Sequence, residues 1–253
     1  MLYIIVFAFG LAIGSFLNVV IYRMPLGESI VQPPSHCPQC NHQIRPWENI
    51  PVLSFLFLRG KCSSCGTRIS WRYPLVELLT AVVFLLVFMR FGWTLGTLIY
   101  IYFSALLIAI TFIDLDHLII PDGFLIAALI PGIVTWLAGG TEILIHQLLG
   151  AVILGGIFWG IRFFGEKVFK KEAMGFGDVK FAAVLGWTLS WQIGIVAAFL
   201  SFIAASVLLL VLMPLKVIRF GQQIPFGPFI AIGTWLGLMW GVDLINWYMN
   251  FLM

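Results

Sequence analysis

Two aspartates stand at the edges of apolar runs of membrane length: Asp114 in Phe112-Ile113-Asp114-Leu115-Asp116-His117, and Asp178 in Gly175-Phe176-Gly177-Asp178-Val179-Lys180. A carboxylate at the border of hydrocarbon costs kilocalories to keep ionised, so its presence there calls for a reason. Two adjacent carboxylates do not both ionise cheaply, so one carries the charge while the other holds a proton. The charged one can deprotonate water and the protonated one can donate to a scissile carbonyl, which is peptide hydrolysis without a metal or a side-chain nucleophile. Gly175 and Gly177 suit that chemistry, because residues without a β-carbon let an extended substrate backbone approach Asp178. A second reading stands beside it, in which Asp178 caps the helix it precedes. Asp114 and Asp116 are two positions apart and face nearly opposite ways on a helix, so only one can meet Asp178. Asp114, directly against the apolar run, is chosen and Asp116 is the alternative. Asp122, after Pro121, reads as the first residue of the next helix, and His117 as an interfacial side chain one turn from Asp114.

A second constellation is Cys37-Pro38-Gln39-Cys40 with Cys62-Ser63-Ser64-Cys65, two C-x-x-C knuckles with 21 residues between them. Four thiolates at tetrahedral reach of one zinc ion leave no position for a catalytic water, so the metal is expected to be structural. It would hold together a proline-rich loop too small to build its own core. Disulfide pairing is the competing arrangement, and a cytoplasmic location disfavours it. His36 and His42 are spare ligand candidates. Glu77, one turn after Arg72-Tyr73-Pro74, either pairs with a loop arginine or lines a polar site, and Asp243 reads as interfacial.

The elements that position these residues follow from composition. With 61% hydrophobic, 15% aromatic and 10% charged residues, the 253-residue chain has too little polar surface for a soluble globule. The expected fold is all-α: a polytopic membrane protein of about eight transmembrane helices with a small zinc-knuckle loop domain in the cytoplasm. Spans are predicted at 2–22, 74–89, 94–113, 124–137, 143–161 and 226–247. Phe181 to Leu215 is 35 residues without a formal charge, about 52 Å of helix against a core of about 30 Å. A break at Ser190-Trp191-Gln192 makes it two spans, the first of them short. With the amino terminus outside, thirteen of the fourteen basic residues, Lys171, Lys216 and Arg219 among them, fall on the inner side and only Arg90 outside. Both Asp114 and Asp178 then face the cytoplasm. The predicted division is a first helix at 1–22, the four-cysteine loop at 23–73 and a membrane peptidase domain at 74–253. Leu2 to Tyr22 has no basic segment before it, so it is expected to stay as a span, and neither end carries a lipidation signal. The basic residues form no aromatic-interleaved platform, so nucleic acid is not expected as a partner.

Taken jointly, Gly14-Ser15-Phe16-Leu17-Asn18-Val19-Val20-Ile21-Tyr22-Arg23-Met24-Pro25, the two knuckles, Glu48-Asn49-Ile50-Pro51-Val52-Leu53-Ser54, Arg72 to Glu77, Asp114 to Asp122 and Gly175 to Lys180 resemble the type IV prepilin peptidases over essentially the whole chain. These are bifunctional leader peptidases and N-methyltransferases of bacterial cytoplasmic membranes. The resemblance implies that Asp114, seven residues before Pro121, and Asp178, closing G-x-G-D, are the catalytic pair. It implies prepilin or pseudopilin substrates serving pili, competence or secretion. Their short basic leader would be cut at the cytoplasmic face after a glycine, and the new amino terminus methylated with S-adenosylmethionine. No glycine-rich Rossmann turn is present in 23–73, so Glu48 and Glu77 are the candidates for the methyl-transfer site. The knuckles set the chain apart from cleavage-only preflagellin-type and signal-peptide-peptidase relatives. A proton-coupled transporter using Asp114 and Asp178 as a relay, and a zinc-dependent assembly scaffold, are the readings from other classes. Oligomeric state is not legible.

Overall fold

The computed structural model describes residues 1–170, 174–215 and 224–252. Lys171, Lys216 and Arg219, placed on the inner side from sequence, lie outside the described residues. The described chain is helical: α1 (Leu2–Arg23), α2 (Leu53–Phe57), α3 (Arg72–Phe91), α4 (Leu95–His117), α5 (Asp122–Phe169), α6 (Phe176–Leu212) and α7 (Gly227–Leu252), with 3-10 turns at Met24–Leu26 and Pro46–Asn49. All of these except α2 and the 3-10 turns are long and apolar enough to cross a bilayer, six helices in all. The protein is a multi-pass membrane protein.

Two of the six are broken internally. In α5 the backbone leaves helical geometry at Gly140 (φ 75°), and in α6 at Ser190 (φ 68°). The six apolar helices among the described residues thus hold eight segments, and the second break falls at the first residue of the predicted interruption. The leading arm of α6, 176–189, is short at about 21 Å.

The chain divides into two compact units, Met1–Ala109 and Ile110–Met253. In the first, α1 lies against α3 through small residues. A β-carbon on Gly10 would come 2.5 Å from the Ala81 Cα, and one on Gly14 2.6 Å from the Glu77 Cα. One turn further, the Asn18 amide donates to the Tyr73 carbonyl at 3.0 Å. The positions 10, 14 and 18 therefore run antiparallel to 81, 77 and 73, a small-residue seam of the kind that lets membrane helices touch backbone to backbone. Tyr3 meets Phe88 edge-on and Phe9 meets Phe84 further along the seam.

In the second unit α5, α6 and α7 pack by the same device. Gly150 and Gly186 face each other so closely that a β-carbon on either would sit within 2.2 Å of the other's carbonyl oxygen. Gly233 meets Ser201 and Ala197, Gly237 meets Ala197, and Gly241 meets Ile193. Polar side chains close backbone gaps between the arms: Gln147 donates to the Gly132 carbonyl and to Thr135, Trp187 to the Leu129 carbonyl, and Thr188 to the Ala128 carbonyl. A cluster of Phe158, Phe202, Phe226 and Phe229 fills the space beside the start of α7.

Candidate active site and metal centre

Asp114 lies in the last turn of α4 and is 4% exposed, whereas Asp116, two residues on, is exposed. Burial thus separates the two acids in the same sense as their position along the apolar run. The Asp114 Oδ2 accepts the Gly227 backbone N–H at 2.9 Å, so the first residue of α7 satisfies one lone pair of the carboxylate. Pro228 follows, in the first turn where its missing N–H leaves nothing unpaired. A β-carbon on Gly227 would fall 2.6 Å from that same oxygen, so any other residue there requires α7 or the carboxylate to shift.

Asp178 is 8% exposed in the first turn of α6. Its backbone N–H donates to the carbonyl of Gly175, the residue before the helix, at 3.2 Å, and the Gly175 N–H lies on the carboxylate's side. No side-chain cap bond closes this end of α6, so the carboxylate's acceptor capacity is not taken up by capping. A β-carbon on Gly175 would stand 3.3 Å from the Asp178 Oδ2, and one on Gly177 3.4 Å from the Ile120 Cβ. The α4–α5 connection thus packs against the head of α6 at Gly177, where a β-carbon would find only ordinary contact. Asp114 is near enough for its charge to act on Asp178. Lys180 pairs with Asp122 at the head of α5, so the heads of α5, α6 and α7 and the tail of α4 converge within this unit. His117 is exposed, and Asp243 is exposed on α7.

Sequence reasoning passed over Gly227 and the Lys180–Asp122 pair. The Gly227-Pro228 dipeptide after a gap in hydropathy signals a helix start, but nothing local shows which carboxylate its N–H would meet.

The four cysteines of the first unit converge independently. Their sulfurs all lie within 4.8 Å of one another, with Cys37 to Cys65 and Cys40 to Cys62 at 3.9 Å. Four thiolates on a zinc ion stand about 3.8 Å apart, whereas a disulfide needs about 2 Å, so the set fits a tetrahedral metal and all four are free thiols. Each pair is held by a short hairpin: the Cys37 N–H bonds the His42 carbonyl and the Cys62 N–H bonds the Thr67 carbonyl, with Asn41 and Gly66 at positive φ. Backbone N–H groups of Gln39 and Cys40 draw the Cys37 thiol below its usual range, and the Thr67 hydroxyl and N–H bring Cys65 down to about 6. The His42 N–H favours the Cys40 thiolate, yet desolvation and the three neighbouring thiols carry it up to about 11. A divalent cation removes that mutual penalty.

His36 bonds the Pro34 carbonyl and His42 bonds Glu48, so neither histidine joins the cluster. Glu48 accepts the Arg45 N–H at 2.9 Å, the Ser63 hydroxyl and His42, which bring its carboxyl down to about 2 and brace one knuckle against the other. Glu77 is 8% exposed and accepts the Val52 N–H at 2.7 Å. That donor belongs to the loop backbone.

Comparison with known proteins agrees with this arrangement. The bacterial peptidase A24 N-terminal domain matches residues 8–91, and the type IV leader peptidase family matches residues 101–210. A prepilin leader peptidase/N-methyltransferase of Aeromonas hydrophila is 39% identical, with 98% of this chain and 94% of the relative covered. Proteins of the same name from Pseudomonas aeruginosa and Dichelobacter nodosus are 38% and 37% identical, covering 96% and 93% of this chain and 91% of each relative. No solved structure matches the chain. Two membrane carboxylates, a four-cysteine loop and relatedness along nearly the whole length lead to one assignment: the chain belongs to the type IV leader peptidase family.

Proposed function

We propose that the protein is a membrane-embedded aspartic endopeptidase of the bacterial cytoplasmic membrane. It removes the short basic leader of prepilins or pseudopilins after a glycine and then N-methylates the exposed amino terminus. The observation that carries this reading is the pair of buried carboxylates, Asp114 and Asp178, at converging helix ends in a chain of this family. The ionised member takes a proton from water, whose oxygen attacks the scissile carbonyl, while the protonated member donates to the carbonyl oxygen. The tetrahedral intermediate collapses as the C–N bond breaks and a proton passes to the departing amine. The Gly227 N–H holds Asp114, and the glycines at 175 and 177 leave room for the substrate backbone beside Asp178.

Cys37, Cys40, Cys62 and Cys65 would hold a structural zinc ion, which supplies the four-cysteine loop with the cross-link its small size demands. S-adenosylmethionine would donate the methyl group. Both Glu48 and Glu77 are engaged by loop donors, which suits them to shaping the loop, and no step of methyl transfer is routed through either. Methyl transfer is assigned to the first unit and cleavage to the second, with both acids on the cytoplasmic side and the amino terminus outside.

The test is cleavage of a co-reconstituted prepilin by Asp114→Asn, Asp178→Asn and Asp116→Asn variants, with product mass reporting both the cut and the methyl group. Loss of cutting in the first two with retention in the third is expected. Normal cutting by all three would sink the peptidase reading.

A further inference from the structure

Val52 has φ 62° and ψ −47°, a conformation that a β-branched residue disfavours strongly. Such strain persists only where surrounding contacts overrule it. Here the contact is visible: the Val52 N–H points at the Glu77 Oε2, 2.7 Å away, and Glu77 is 8% exposed in the seam between α1 and α3. Ser15, on α1, lies beside the Glu77 carboxylate. Gly14 allows this, because any β-carbon there would strike the Glu77 backbone. The turn carrying Val52 lies between Glu48, which braces the knuckles, and α2.

We propose that Glu77 is the positioning residue of the four-cysteine loop: as a hydrogen-bond acceptor it pins the strained Pro51–Val52 turn to the α1–α3 seam, and methyl transfer depends on that placement while peptide cleavage does not. This rests on the assignment of methyl transfer to the first unit. The role asks only for an acceptor oxygen, so a glutamine serves and a leucine does not. A general base at this position would make the opposite demand, because glutamine cannot take a proton. The strain adds a second signature. Glycine at position 52 accepts positive φ without a holding bond, so Val52→Gly should relieve the loss of Glu77.

The experiment uses full-length protein in lipid nanodiscs, with Glu77→Gln, Glu77→Leu and Glu77→Leu/Val52→Gly variants. Each is assayed for prepilin cleavage, for methylation of a pre-cut pilin, for bound zinc, and for limited proteolysis at residues 48–53. Glu77→Leu should lower the methylation kcat about tenfold, the loss expected of a buried N–H left without its acceptor. It should also open the turn to protease and leave cleavage unchanged. Glu77→Gln should keep both methylation and protection, and Val52→Gly should restore methylation in the leucine background. Glutamine as damaging as leucine, unaltered methylation in the leucine variant, or cleavage lost together with methylation would each overturn the proposal. A wild-type protein that cuts but never methylates would instead refute the underlying assignment. Protease protection then still decides the pinning itself, and an unopened turn in Glu77→Leu overturns that too.

Discussion

Replacing Gly227 by alanine tests the cleavage site through one added methyl group. Gly227 has no positive φ, so alanine brings no backbone strain and its effect is steric. The new β-carbon would stand 2.6 Å from the Asp114 Oδ2, 3.0 Å from Cγ and 3.2 Å from Cβ, whereas ordinary contact begins at 3.4 Å. Either α7 or the carboxylate must move by nearly an ångström. A displacement of about 1 Å in a catalytic group costs roughly 100-fold in rate. The weakened hydrogen bond from the Gly227 N–H, worth about 1.5–3 kcal/mol if the carboxylate is charged, is part of this same loss and is not counted again. The expected result is therefore a fall of about 100-fold in kcat/KM for cleavage of a reconstituted prepilin. Methylation of a pre-cut pilin should be unaffected, because Gly227 belongs to the other unit. A Gly227→Ala protein that cuts within about threefold of wild type would refute the reasoning, since it would mean that Asp114 keeps working geometry with its holding donor displaced.

Other outcomes follow from the packing and the metal site. Gly186→Val places side-chain atoms on the Gly150 carbonyl and should destabilise the second unit by about 1–3 kcal/mol, read as a lower thermal midpoint in detergent. Lys180→Ala breaks the ion pair with Asp122, both partners of which are well exposed, and should change stability by less than about 1 kcal/mol. Substituting serine for Cys37, Cys40, Cys62 and Cys65 together should abolish bound zinc by elemental analysis and lower methylation while the aspartates still cut. Retained zinc in that variant would exclude the four-thiolate site.

Local signals carried much of this molecule. The break in α6 was legible because 35 uncharged residues exceed one span, and Ser190 is where the helix gives way. The knuckles were legible because metal-ligand spacing is short-range. Long-range pairing was not: no periodicity tells that Gly227 will meet Asp114 across 113 positions, or that Gly150 and Gly186 will touch. Glu77 shows a partial case. Its placement near the start of an apolar helix marked it as costly and left open a loop arginine or a polar site, and a strained loop backbone amide is what it holds. The choice of Asp114 over Asp116 was legible from its place against the apolar run, and the burial of Asp114 agrees with it.

Each knuckle closes on itself, through antiparallel bridges of His36 with Gln43 and of Lys61 with Arg68. An arriving ion therefore meets two ready-made bidentate claws rather than four independent ligands. The chain it must still close runs from Cys40 to Cys62, with 21 residues between, and the logarithmic part of that closure entropy is about 2.7 kcal/mol. Structural zinc binds such sites with about 10–16 kcal/mol. Doubling the stretch between the claws would add only about 0.6 kcal/mol. Metal affinity is thus nearly indifferent to the length of that stretch and acutely sensitive to the spacing inside each claw. The segment between the claws could therefore vary in length with little effect on how tightly a bound ion would be held.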